Sequence, residues 1–131
     1  VMGDMFELGD KENELHYNTG AHAAEIGIDV ICCIGELSHH AYEGAKACAK
    51  NSSILYFKTK QDFLDKIRNV VKKDDTILVK ASHGMEFPEI IDEVRLHHKT
   101  PLIIEIPDRH GTGRKPDFIT SYVNEAIGLK L

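Results

Sequence analysis

Three stretches of the chain carry residues in patterns that could do chemistry. The first is Gly3-Asp4, at the end of a short apolar run. A carboxylate placed there could bind a ribose hydroxyl, a metal or an ammonium group. The alternative reading, and the favoured one, is a turn glycine followed by a helix-capping aspartate. The second is Lys80-Ala81-Ser82-His83-Gly84-Met85. A lysine at a strand end, then a small polar loop leading into a helix N-terminus, makes an anion site. A solvated lysine before a glycine turn explains the same residues equally well. The third is Gly111-Thr112-Gly113-Arg114-Lys115. It has neither the GxGxxG nor the GxxxxGK[ST] spacing, so a solvated loop is the better reading.

The eight histidines do not suggest a metal site. His39-His40 and His97-His98 are neighbours, so on a helix their side chains diverge by about 100°. There is no HExxH. His16, His22, His83 and His110 are isolated, and surface or capping roles are expected for them. Only the fold could bring His83 and His110 together. Of the three cysteines, Cys32 and Cys33 lie inside a strand pattern and read as small core residues rather than redox groups. An odd count without CxxC suggests a reducing compartment and no zinc. No metal or other cofactor is therefore expected for this chain by itself.

The elements that must position these residues follow from hydrophobic patterning. Apolar runs rich in β-branched residues occur at residues 30–34, 54–57, 76–79 and 102–106. They are nearly continuous, as in strands buried on both faces of a parallel sheet. Val1-Met2 reads as the tail of another strand. Between them lie helical patterns. Leu15, Thr19, Ala23 and Ile26 share a face that Gly27 would terminate. A helix from Ser38 toward Ala49 takes Ser38 as its N-cap. Phe63, Ile67, Val70 and Val71 form a third stripe. Pro88 starts a fourth helix with Ile90, Ile91 and Val94 inward. Phe118, Tyr122, Val123, Ala126 and Ile127 define a fifth. This alternation predicts an α/β fold: a single domain over 1–131, a doubly wound parallel sheet of about five strands with helices on both faces, Rossmann-like or flavodoxin-like. Ligands in such a fold sit at the carboxyl ends of the strands. A receiver domain is excluded, because Tyr56-Phe57-Lys58 puts no carboxylate at the end of the third strand.

Length and charge narrow the function classes. The chain has 131 residues, 42% of them hydrophobic and 28% charged, with a net charge of −5. An acidic balance argues against a nucleic-acid binder. No apolar run approaches the roughly 18 residues of a membrane span, and no signal peptide is evident, so membrane insertion is not expected and a cytoplasmic location is.

The stretch Val1-Met2-Gly3-Asp4-Met5-Phe6-Glu7-Leu8-Gly9 resembles V-x-G-D-M-x-E-L-G, a motif of the C-terminal domain of MurF-type ligases. These ATP-dependent enzymes add D-alanyl-D-alanine to the UDP-linked peptidoglycan precursor. Further matches follow in order: Glu14-Leu15-His16, Ala24 to Asp29, Ile34-Gly35-Glu36-Leu37, Ala41 to Ala45, and Leu78 to Met85, which is similar to L-V-K-G-S-R-G-M. Ala81 and His83 stand where glycine and arginine are usual, which puts the contacts of that arginine in doubt. The resemblance covers about residues 1–93. It implies that Asp4, Glu7 and Gly9 face the nucleotide side, and that Lys80, Ser82, His83 and Gly84 lie on the dipeptide side. It also implies a central ATP-binding domain as partner, which holds the phosphate loop, the magnesium ligands and the carbamylated lysine. ATP and magnesium are then expected only in a full-length ligase. Phosphoryl transfer depends on positioning the γ-phosphate and its metal, so the isolated chain is expected not to be an enzyme.

Residues 94–131 resemble something else. Pro101-Leu102-Ile103-Ile104-Glu105-Ile106-Pro107-Asp108-Arg109-His110-Gly111 and Tyr122-Val123-Asn124-Glu125-Ala126-Ile127-Gly128 look like the end of the small central-stalk protein of V/A-type rotary ATPases. That stalk protein is a receiver-like domain whose last helix regulates ATP hydrolysis. The two resemblances together suggest an engineered chimera of similar αβ layers. The alternatives are a natural isolated Mur ligase domain and a regulatory module of the rotary ATPase stalk.

Overall fold

The computed structural model describes residues 1–97 and 102–106. The chain divides between Lys66 and Ile67 into two units, a division that falls inside one helix. The first unit runs through β1 (Met2–Gly3), α1 (Glu12–Glu25), β2 (Val30–Ile34), α2 (Ser38–Cys48), β3 (Ser53–Phe57) and the start of α3 (Lys60–Val70). Its strands lie in the order β3-β2-β1 and pair in parallel, Val30 to Ile34 against Ser53 to Phe57, and Met2 and Gly3 against Cys33 and Ile34. The second unit holds the end of α3, β4 (Thr76–Lys80), α4 (Pro88–His97) and β5 (Leu102–Ile106). Here β4 pairs β5 in parallel from Thr76↔Leu102 to Lys80↔Ile106. The expected α/β class with a parallel sheet is what forms. The fifth predicted helix, with Phe118 to Ile127, lies outside the described residues, as do His98, His110 and the Gly111 to Lys115 loop.

Period-two alternation shows that both faces of the first sheet are covered. Tyr56 packs against His39 and Tyr42 of α2. Its neighbour Phe57 points the other way and meets Phe63 of α3 edge-on, with ring centroids 5.3 Å apart. β2 lies between these layers, and Ile31 through Ile34 are all buried. Ile31 and Cys33 join Ala24, Ala41 and Ala45 in the core on the α1–α2 side. The cysteines are thus core residues, and burial pushes the Cys33 thiol up to about 12 and raises that of Cys32.

α1 differs from its expected orientation. The face Leu15-Thr19-Ala23-Ile26 is only partly covered: Ala23 packs against the core, whereas Leu15 and Ile26 are 40% and 61% exposed. The buried row is one residue on: His16, Gly20 and Ala24. The cause is the closeness of α2. A Cβ on Gly20 would collide with the Ala41 carbonyl, and one on Gly44 with the Tyr17 carbonyl. Only the smallest residues let the two backbones meet, so the contact selects small size over hydrophobicity. α1 then stops in a Schellman turn, with Gly27 N donating to Ala24 O (3.1 Å) and Ile28 N to Ala23 O (3.2 Å).

The remaining helices follow their patterns. α3 buries Phe63 and Ile67, Val70 is half-buried at its end, and Val71 just beyond it is buried. It starts in a reciprocal cap, in which Asp62 N donates to Thr59 Oγ1 (3.1 Å) and Thr59 N to Asp62 Oδ2 (3.1 Å). α4 begins at Pro88 and buries Ile90, Ile91 and Val94. β4 is less enclosed than its sequence suggests: Ile77 and Val79 are buried, whereas Leu78 between them is 45% exposed. Among the described residues no helix is long and apolar enough to cross a membrane.

Candidate functional site

In the first unit, the carboxyl ends of β1 and β2 meet the N-terminus of α2. Asp4 leaves β1 and is buried, at 7% exposure. Its Oδ1 accepts the backbone N–H of Ser38 at 2.8 Å. Gly35 leaves β2 at φ +113° and donates its N–H to Phe57 O, 3.0 Å away at the end of β3. A Cβ on Gly35 would lie 2.6 Å from Asp4 Oδ2, so glycine is required both by the backbone angle and by the carboxylate beside it.

This arrangement corrects the cap expected for α2. Ser38 is the first helical residue, not the N-cap; Leu37 occupies that position and makes no side-chain cap. The capping oxygen comes from Asp4. A carboxylate at a helix N-terminus satisfies an orphan N–H and complements the positive end of the dipole. Ser38 Oγ, by contrast, is buried and makes no hydrogen bond. The carboxylate therefore does what the capping reading of Asp4 requires, although the helix it caps is α2, far along the chain.

The segment after Asp4 is pinned next at Met5, whose N–H donates to His16 Nε2 at 2.9 Å. His16 is 1% exposed, so it is neither the surface nor the helix-capping residue expected from its isolation in the sequence. Beyond Met5 the chain reaches the surface. Phe6, Glu7 and Gly9 are exposed, and Glu7 and Gly9 adopt left-handed backbone angles of +61° and +68°. A left-handed non-glycine residue costs free energy and recurs at functional turns. Of the three residues assigned to a nucleotide side, Glu7 and Gly9 thus lie on an exposed turn, and Asp4 lies buried beneath it.

An aromatic rim borders this region. His39 meets Tyr56 edge-on at 4.9 Å, Tyr42 lies 5.7 Å from Tyr56, and Lys46 Nζ sits 5.1 Å from the Tyr42 ring centre. Glu43 lies 3.6 Å from both His39 and His40. Burial raises the Tyr56 hydroxyl above its ordinary range, and the negative charges of Asp4 and Glu36 add to this. No single residue here announced the rim; the only signal was the apposition of β3 and α2.

In the second unit, Lys80 ends β4 and Ser82 is buried, with its carbonyl accepting the Met85 N–H at 2.9 Å. A short 3-10 turn spans His83–Met85, and Gly84 is exposed. The His83 side chain lies outside the described residues. Glu86 follows with a left-handed φ of +52°. A shallow depression is lined by Gly84, Glu86, Pro88, Glu89 and Asp92. Three of its five lining residues carry carboxylates. Among the described residues no cluster of three or more potential metal ligands forms.

Residues 1–83 match the family described as Mur ligase, glutamate ligase domain. The chain belongs to that family. Two curated relatives are UDP-N-acetylmuramoyl-tripeptide–D-alanyl-D-alanine ligases. The one from Bacillus subtilis (strain 168) is 35% identical over 94 residues, covering 72% of this chain and 21% of the relative. The one from Rickettsia prowazekii (strain Madrid E) is 23% identical over 92 residues, covering 70% and 20%. The chain thus spans about a fifth of the length of these relatives. No solved structure matches it significantly.

Proposed function

We propose that residues 1–93 serve as the domain of a D-alanyl-D-alanine-adding ligase that closes over nucleotide and dipeptide, and that this chain alone is not a catalyst. The observation that carries the reading is the 35% identity to the Bacillus subtilis ligase across 94 residues. The exposed Glu7–Gly9 turn at the carboxyl end of β1 supports it, because ligands of parallel α/β sheets gather at that end. Glu7 and Gly9 then present the turn to the nucleotide side. Lys80, Ser82, His83 and Gly84 form the loop on the dipeptide side. The partner is a central ATP-binding domain, which supplies ATP and magnesium.

The test is a domain exchange. Residues 1–93 replace the matching segment of the Bacillus subtilis ligase, and ATP-dependent joining of D-alanyl-D-alanine to the UDP-tripeptide is followed by phosphate release. The hybrid should turn over, whereas the present chain alone should neither release phosphate nor show saturable heat with ATP or dipeptide. Turnover by the chain alone, or a folded hybrid with no activity, overturns the reading.

A second proposal concerns residues 94–131: that they are a strand and helix of the rotary ATPase stalk type, joined to the ligase domain as a chimera. It is supported by the Pro101 to Gly111 and Tyr122 to Gly128 motifs and by the parallel pairing of β5 along all five residues of β4. Removal of everything after Lys99 should lower the melting temperature. Unchanged melting overturns the proposal, as does specific capture of a rotary ATPase stalk protein by the intact chain, which would favour a stalk module.

A further inference from the structure

Both ring nitrogens of the buried His16 are engaged, and both partners are backbone groups with fixed roles. Nε2 lies 2.9 Å from Met5 N, which can only donate. Nδ1 lies 2.6 Å from Glu12 O, which can only accept. The proton must therefore sit on Nδ1, and the ring must be neutral. The ring closes a link between α1 and the segment that follows β1. Just beyond this link, Glu7 and Gly9 hold left-handed angles. A turn with such angles persists only where its surroundings over-determine it.

We propose that His16 is a positioning residue, an acid-sensitive latch on the Met5–Gly9 turn. Neutral, it receives the Met5 N–H and holds the turn. Protonated, it sets an imidazolium N–H against the amide N–H, the link is lost and the turn is released. α2 presents Ala41, Gly44 and Ala45 toward α1, none of which titrates. β2 places Ile31 and the Cys33 thiol in the core beside Ala24 of α1. The segment after β1 carries Asp4 and Glu7, and the short turn before α1 carries Asp10 and Lys11. Asp4 is already committed to Ser38. The latch does not depend on the ligase reading.

Nuclear magnetic resonance on the full chain tests it. Long-range nitrogen–proton correlation should show His16 with its proton on Nδ1 at neutral pH. As the pH is lowered from neutrality, the protection factor of the Met5 amide should fall about tenfold or more, in step with the His16 ring, while the amides of Ile31 and Cys33 keep theirs. His16→Gln keeps an acceptor that does not titrate, so its Met5 protection should stay level across this range. His16→Leu should lose Met5 protection at both ends; if that variant does not fold, the wild type and His16→Gln still decide. A proton on Nε2 at neutral pH, level Met5 protection in the wild type, or an equal fall in His16→Gln overturns the proposal.

Discussion

The Asp4 carboxylate caps a helix that begins at Ser38, 34 residues later in the chain, through a 2.8 Å hydrogen bond to the Ser38 amide. A strand end and a helix start are thus joined by one side chain. Asp4→Ala should strip the cap and leave a buried N–H without a partner, at a cost of about 2 kcal/mol. Asp4→Asn keeps an acceptor and gives up only the charge–dipole attraction, about 0.5–1 kcal/mol. Urea unfolding midpoints of the two variants should therefore fall in that order. Equal losses would mean that the charge, not the hydrogen bond, matters.

Gly35 is coupled to the same carboxylate. Gly35→Ala places a methyl group 2.6 Å from Asp4 Oδ2, at a φ of +113° that alanine avoids. It should destabilise by about 2 kcal/mol or more. Part of that cost is the collision with Asp4, so the double variant with Asp4→Ala should lose less than the two single losses added together. Strict additivity in a double-mutant cycle would show that backbone strain alone is at work.

The α1–α2 contact inverts the usual helix rule. Alanine stabilises an exposed helical position by about 1 kcal/mol relative to glycine. Gly20→Ala and Gly44→Ala should nevertheless lower the melting temperature, because their methyl groups would enter the Ala41 and Tyr17 carbonyls. Leu15→Ala, on the 40% exposed side of the same helix, should change stability by only about 0.5 kcal/mol.

The thiols should separate by burial. Cys32 and Cys33 are buried and Cys48 is partly exposed. At about pH 8 a disulfide reagent should modify Cys48 first, with Cys32 and Cys33 reacting only as fast as the protein opens. The folded state keeps the Cys33 thiol neutral up to about 12. That contribution to stability is complete below the ordinary thiol range and is lost as pH climbs from there through about 12. Peptide mapping after brief alkylation, together with unfolding curves at rising pH, checks both parts.

Local pattern was a reliable guide where one element buries a simple apolar stripe. Phe63 and Ile67 of α3, Val71 just beyond its end, and Ile90, Ile91 and Val94 of α4 are buried as their spacing requires, while Val70 is half-buried. It misled in α1, where hydrophobicity pointed to Leu15 and Ile26. Close backbone approach rewards the absence of a side chain, and a hydrophobic pattern does not record that. The motif Val1 to Gly9 marked the candidate site through resemblance, whereas nothing in its composition indicated that His16 pins it.

The amino-acid sequence by itself determined the alternation of strands and helices, the parallel class that follows from near-continuous apolar runs, and membership of the Mur ligase family. These are properties of short windows and of local motif order. Tertiary structure alone decided which oxygen caps α2, which face of α1 turns inward and which backbone groups meet the two ring nitrogens of His16. Each of those depends on a partner far away in the chain or in another element, and a backbone amide or carbonyl offers the same chemistry at every position until folding brings one of them within about 3 Å.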